Sequence, residues 1–483
     1  MPVTPRIATI WALQIVPLAL AATLSAAPGP AELAKAARNR DMTAVRALLA
    51  KGADVNAAEA DGATPLHWAA HWDDLAVADL LLAKGARADA ANDYGVTPLS
   101  LAATNGSAPM VLKLLKAGAN ANTTLPSGET VLMIAARTGK VDGVASLIEG
   151  GAQIDAVEAG KGQTALMWAA AEGHAPLVKL LIERGANVSA RSKAGYTPLI
   201  LAARGGDVST AQVLLDAKAN VNDAAKDGTA PLILSLVRGH VELAKYLLER
   251  GADPNADGRG FNALHWVSGS WDGQMHFGQH SEGMLTEWHA LTGLRGQRKL
   301  DMMKALLAHG AKVNATNTKS PPRFGFLAGS VALEGATPFL IAACAADIDA
   351  MKLLLAAGAD KDRTTDNQFT ALMLAAGVCR IPGQDQVVEA QALEAVKFVW
   401  GLGGFDVNAA SDENWTSMHG AAYWGSIELT KFLVEHGAEL EIETYDKIAT
   451  PLSIAEGRTP FRGMNTYNYP ELAVALRQLG AKK

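Results

Sequence analysis

A four-residue mark returns at nearly constant spacing along most of this chain, and that regularity restricts the fold more than any other feature. Thr64-Pro65-Leu66-His67 is followed by Thr97-Pro98-Leu99-Ser100 and Thr197-Pro198-Leu199-Ile200, with degenerate copies between and after them. Its third residue falls at 66, 99, 132, 166, 199, 232 and 264, in steps of 32 to 34 residues. Later copies begin at Thr337, Thr370, Thr416 and Thr450. A glycine stands 19 residues beyond the leucine, at Gly85, Gly118, Gly151, Gly185 and Gly251, and Lys218 replaces it once. A unit of this length cannot bury its own apolar face, so neighbouring units must stack into a continuous core.

Each copy reads as two short helices. Thr suits an N-cap, and Pro suits the first helical position, where its missing N–H is an orphan in any case. Paired alanines such as Ala69-Ala70, Ala102-Ala103 and Ala169-Ala170 let two helices approach closely. A second helix carries Leu80-Leu81 or Leu180-Leu181 and stops at the glycine, which can take a left-handed conformation. An Asn- or Asp-rich turn, for example Asp54-Val55-Asn56, leads onward.

Period, tetrapeptide and Gly-Ala mark together resemble the ankyrin repeat family over about residues 30–483. The resemblance implies an all-α ankyrin repeat solenoid of about twelve helix-turn-helix units with hairpin-like loops. The expected organisation is a signal segment over 1–27, an N-terminal capping repeat over 28–59 and regular repeats over 60–262. Repeats with insertions follow over 263–445, and a C-terminal capping repeat closes the chain over 446–483. The period breaks near 269–297, 318–333 and 380–391. Insertions in solenoids map to loops, often on the binding side, which directs attention to the second half.

Arg6 is the only charged side chain before Glu32, Ile7 to Leu24 is nearly all apolar, and Ser25-Ala26-Ala27 is small. That order is that of a secretory signal cleaved near 24–29, with an uncleaved anchor as the alternative. The mature chain is then expected to be periplasmic or secreted and without a membrane span. Lys plus Arg total 43 against 49 Asp plus Glu, a net charge of −6 that disfavours nucleic acid as partner.

Little points to catalysis. No nucleophile elbow, phosphate loop or dinucleotide fingerprint is present, and no acidic pair is marked out. The first insertion holds His276 and His280 at i, i+4, with His289, Trp271, Phe277 and Trp288. A metal or enzymatic site there is the sharper alternative, weakened by Gly278 between the two histidines. His67, His265 and His419 close their tetrapeptides, and the resemblance implies that they hydrogen-bond backbone between repeats, as it does for His174 and His240. The two cysteines, Cys344 and Cys379, could bond if their Cα atoms come within about 7 Å.

In the ankyrin family recognition uses the hairpin tips and the residues after Ala-Ala, along a concave face. That resemblance selects His71, Trp72, Tyr94, Tyr196, Arg204, Phe261, Trp415, Tyr423 and Trp424 as partner-binding residues. Trp68, Trp168 and Trp266 occupy another register and are expected between repeats. The expected activity is that of a monomeric, non-catalytic scaffold that needs no cofactor and binds a protein. Binding of an envelope polysaccharide by the aromatic groove is a further alternative.

Overall fold

A computed structural model describes residues 31–258, 260–269, 294–319, 333–380, 387–445, 449–458 and 467–482. The stretch expected to be a signal segment, residues 1–27, lies outside the described residues. Twenty-four helices, α1 to α24 in chain order, and two isolated bridges make up the regular structure described. The chain divides into two compact units between Leu101 and Ala102.

The first unit contains α1 (Glu32–Arg38), α2 (Met42–Ala50), α3 (Pro65–His71) and α4 (Leu75–Ala83). Here α1 packs on α3 and α2 on α4, so first helices meet first helices and second helices meet second. Helix α5 (Pro98–Asn105) crosses the division.

The second unit repeats the scheme. Its second helices are α6 (Ala108–Lys116), α8 (Val141–Glu149), α10 (Ala175–Glu183), α12 (Val208–Asp216), α14 (Val241–Glu249), α16 (Gly296–Ala308), α18 (Ile348–Ala356), α20 (Glu389–Gly401), α22 (Ile427–Glu435) and α24 (Pro470–Gln478). Its first helices are α7 (Val131–Ala136), α9 (Ala165–Ala171), α11 (Pro198–Gly205), α13 (Pro231–Val237), α15 (Ala263–Ser268), α17 (Pro338–Cys344), α19 (Ala371–Ala375), α21 (Ser417–Trp424) and α23 (Pro451–Ala455).

The tetrapeptide does what its chemistry predicts. Thr164, Thr197 and Thr370 accept the N–H of Met167, Ile200 and Met373 at 3.3 Å, each satisfying an orphan donor. The alanine pairs are fully buried where first helices touch. The glycines that end second helices take positive φ, and Lys218 is forced into the same region at φ 71°. Side chains pay a steric cost there that glycine avoids.

At six of the turns an asparagine staples consecutive pairs. Asn222 donates from Nδ2 to the Gly251 carbonyl at 3.2 Å and accepts the Asp253 N–H at 2.8 Å. Asn56, Asn122 and Asn408 do the same, always across 29 residues. Asn255 and Asn314 make the identical donation to Gly310 and Gly358 across 55 and 44 residues. The bond is therefore kept unchanged across the first two breaks in the period. Part of the extra length is helical: α16 and α20 each run to 13 residues where the other second helices have nine, so Gly296, Gln297 and Glu389 to Gln391 lie in helices.

Candidate functional site

The hairpins form a ladder that fixes the tips. Asp93 N–H donates to the Asp61 carbonyl at 3.0 Å in the first unit. In the second, Lys193 donates to Lys161, Lys226 to Ala194, Thr318 to Gly260, Asp366 to Glu334, Asp412 to Asn367 and Tyr445 to Glu413. Backbone pairing between tips leaves the side chains of each tip facing outward or under the next turn.

Four of the nine selected residues are buried: three face under the next turn, and the fourth, Tyr423, lies on α21. Tyr196, Phe261, Trp415 and Tyr423 are 3%, 1%, 1% and 4% exposed, so a partner cannot reach them in the folded chain. Tyr196 packs with Met167, Ile200, Leu201, Ala225 and Leu234. Phe261 stacks at a tilt on Trp266, 5.2 Å between centroids, and Trp415 lies 5.7 Å from His419. Their position immediately before the cap residue is one where Ala63, Ala336 and Ala449 are buried too. Burial there fills space between successive pairs and yields core energy rather than contact surface. Tyr423 is covered by Tyr467, and that burial raises its hydroxyl above the usual range, while the neighbouring Tyr469 is pushed up to about 12.

The other five remain within reach. In the first unit Trp72 is 41% and Tyr94 53% exposed, and His71 is also open. Trp72 is held rather than loose: its Nε1 donates to the Arg38 carbonyl at 2.9 Å, and Arg40 lies 5.9 Å over its ring. Beside it, Arg38 stands 5.7 Å over Trp68 and pairs with Glu59 at 3.1 Å, and Glu59 accepts from Trp68 Nε1 at 3.0 Å. This preorganised surface combines aromatic faces with guanidinium groups, the side chains that carry most interface energy. In the second unit Arg204 and Trp424 are half-buried. The Arg204 carbonyl takes the His240 ring N–H at 3.1 Å.

The histidines of the tetrapeptides are structural links. The Thr64 N–H donates to His67 Nδ1 at 3.1 Å, which leaves Nε2 protonated to donate to the Val96 carbonyl at 3.0 Å. His265 uses the same tautomer, its Nε2 lying 3.0 Å from the Ala315 and 3.1 Å from the Ala336 carbonyl. Burial lowers all three histidines, His265 and His419 to about 4. In His67 and His265 both nitrogens of the neutral ring are engaged, which leaves no lone pair to offer a metal. His174 reaches the Arg137 carbonyl at 3.1 Å in the same manner as His240.

Two buried cations escaped the sequence reading. Lys299, on α16, donates to the Ser268 carbonyl at 3.0 Å and pairs with Asp347 at 2.7 Å. Arg380 donates from Nε to the Cys344 carbonyl at 2.9 Å and from Nη2 to Ala375 at 3.0 Å, and lies 5.7 Å over Trp424. Both therefore neutralise the negative ends of first helices. Both also flank places where the period breaks, but in sequence Lys299 stands beside Arg298 and close to Lys304, and nothing there sets it apart as buried. Cys344 and Cys379 are disulfide-bonded, with Cα atoms 6.1 Å apart.

His276, His280, His289, Trp271, Phe277 and Trp288 lie outside the described residues. Among the described residues no group of three or more His, Cys, Asp or Glu side chains could hold a metal ion, and no helix is long and apolar enough to cross a membrane.

A family model for ankyrin repeats in three copies matches residues 33–124, 101–192 and 188–258, and a model for the single ankyrin repeat matches 334–366. Together they cover more than half of the chain. Among solved structures, the ankyrin repeat domain of human ASB11 is 30% identical, at a TM-score of 0.42, over 46% of this chain and 98% of that one. No curated protein matches.

Proposed function

The chain belongs to the ankyrin repeat family, and from that premise we propose that it is an exported scaffold that binds a partner protein. Ankyrin repeats imply a protein–protein interaction scaffold. The finer reading rests on one observation above others: aromatic and guanidinium groups stay wholly or partly open where first helices end and hairpins turn, and the two tryptophans among them, Trp72 and Trp424, are held in place before any partner arrives. Those groups are His71, Trp72 and Tyr94 in the first unit, and Arg204 and Trp424 in the second. Fixed side chains lose little freedom on binding, so more of the contact energy appears as affinity. The scaffold acts as a monomer and needs no cofactor. Export is supported by the apolar segment before residue 28 and by the Cys344–Cys379 bond, which suits an oxidising compartment.

The experiment is affinity capture from an envelope extract with residues 31–483 as bait. The paired bait carries Trp72→Ala, Tyr94→Ala and Trp424→Ala. A protein retained by the natural chain and lost by the variant supports the reading, once circular dichroism shows the variant folded. Identical captures by both would sink it. Fractionation of the expressing cell tests export, and recovery of the uncleaved chain in the cytoplasm would overturn that part.

A further inference from the structure

One of the two cysteines stands in the register used for contact. Cys344 follows Ala342-Ala343 as His71 follows Ala69-Ala70 and Arg204 follows Ala202-Ala203. It is the last residue of α17 and is half-buried, while Cys379 lies just beyond α19 and is 2% exposed. The bond between them ties two consecutive first helices together at the ends where the contact residues stand.

Arg380 extends that tie to a third helix. It follows Cys379 directly and is buried. Its Nε donates to the Cys344 carbonyl at the end of α17, its Nη2 donates to the Ala375 carbonyl at the end of α19, and its guanidinium lies over Trp424 at the end of α21. The turn that presents it is short: α19 has five residues, and Gly377 follows at φ 107°. A glycine there brings backbone freedom that a covalent tie two residues further on removes.

The reduced form has acceptors in place for both protons. Cys379 Sγ lies 3.5 Å from the Leu374 carbonyl, and Cys344 Sγ lies 3.9 Å from the Cys379 carbonyl. A thiol can donate to such oxygens and a disulfide cannot, so reduction gives each new S–H an acceptor instead of leaving it orphaned.

We propose that Cys344–Cys379 is a thiol-sensitive switch that sets how firmly Trp424 is held for its partner. This deepens the scaffold reading and rests on it. The reductant is a dithiol. Its thiolate attacks Sγ of Cys344, the more open of the two, and the S–S bond breaks. The electron pair leaves on Cys379 Sγ, which takes up a proton. The second thiolate of the reductant then attacks the mixed disulfide, closes the reductant's own disulfide and releases Cys344 Sγ, which takes up the other proton. The chain is reduced by two electrons and the dithiol is oxidised by two. With the tie gone, the turn from Gly377 to Arg380 is freer, the guanidinium is less firmly set against Trp424, and the indole loses its fixed orientation. The bonded chain binds; the reduced chain binds more weakly, because ordering the indole then falls to the binding step.

The test treats residues 31–483 with dithiothreitol in the absence of denaturant. Both thiols should become alkylatable while circular dichroism stays helical. Acrylamide quenching, read as the difference between a chain and the same chain carrying Trp424→Phe, should show Trp424 more open after reduction and closed again by oxidised glutathione. The double variant Cys344→Ala, Cys379→Ala should give the reduced value with or without dithiothreitol. Arg380→Met, where it folds, should give an open Trp424 even while the disulfide is intact. Any protein whose capture from the envelope extract depends on Trp424 should be held about tenfold more weakly by the reduced bait. A bond that resists dithiothreitol until urea unfolds the chain would overturn the proposal, and so would quenching of Trp424 that reduction leaves unchanged. If capture depends on none of Trp72, Tyr94 and Trp424 while reduction still opens Trp424, the scaffold reading falls and the redox control of this side chain stands.

Discussion

Asn255 donates to the Gly310 carbonyl at 2.9 Å across 55 residues of sequence, and Asn222 makes the same bond to Gly251 across 29. An insertion that leaves this staple unchanged contributes nothing to it. Deletion of residues 270–293 with a short Gly-Ser bridge between α15 and α16 is therefore expected to leave the helical circular dichroism unchanged and the melting temperature within a few degrees. Loss of the helical signal would mean that the inserted residues carry part of the core.

The staples themselves matter more than their exposure suggests. Asn222→Asp removes the Nδ2 donor and sets a carboxylate against the Gly251 carbonyl, while leaving an acceptor for Asp253 N–H. A loss of roughly 1–2 kcal/mol is expected in urea unfolding, since one bond is replaced by repulsion between two acceptors. No change in the unfolding midpoint would show that water substitutes freely at this turn.

Lys218→Gly should stabilise the chain. Lys218 holds φ 71° where other copies use glycine. The left-handed region costs a side-chain-bearing residue on the order of 1–2 kcal/mol, and glycine's greater freedom when unfolded returns part of that. A net gain of about 0.5–1 kcal/mol, seen as a higher urea midpoint, is expected.

Acid should weaken the fold through two histidines. His265 and His419 titrate near 4 when folded and near 6.5 when unfolded. Between those values the unfolded chain binds more protons, so stability rises with pH. The contribution is fully present above pH 6.5 and is lost as pH falls toward 4, by roughly 3 kcal/mol per histidine. Urea midpoints from pH 7.5 to 4.5 should fall along this slope, and the double variant His265→Gln, His419→Gln should flatten it. An unchanged slope in that variant would assign acid sensitivity to the carboxylates.

Arg380 is expected to hold the region around the disulfide. Arg380→Met leaves the carbonyls of Cys344 and Ala375 without their charged donor inside the core. That should cost on the order of 2–4 kcal/mol, measured by unfolding of the oxidised protein. Separately, reduction of Cys344–Cys379, which closes a span of 35 residues, should lower stability by roughly 3 kcal/mol, and Cys344→Ser should remove the response to reductant.

The fold was legible because each repeat restates it: Thr64, the Ala69-Ala70 pair and Gly85 have separate physical reasons to stand where they do, and all agree. The candidate surface was less so. Tyr94 and Tyr196 both sit at hairpins, yet Tyr94 lies two residues further from its cap and is exposed while Tyr196 is buried. Alanine at the position of Tyr196 in other copies, such as Ala63 and Ala336, marked that register as enclosed. Lys299 and Arg380 were missed for another reason. A charged residue in an amphipathic helix or a turn is ordinarily solvated, and only three-dimensional packing shows which helix end takes it up.

The bond between Cys344 and Cys379 also gives the chain a mechanical asymmetry. Tension between its ends would peel helix pairs away one after another, each adding its full contour length. The stretch between the two cysteines cannot pay out while they remain joined, which withholds 35 residues, about 120 Å of extension. A stack pulled in an oxidising medium would therefore stop short of full length, and the same stack in a reducing medium would not.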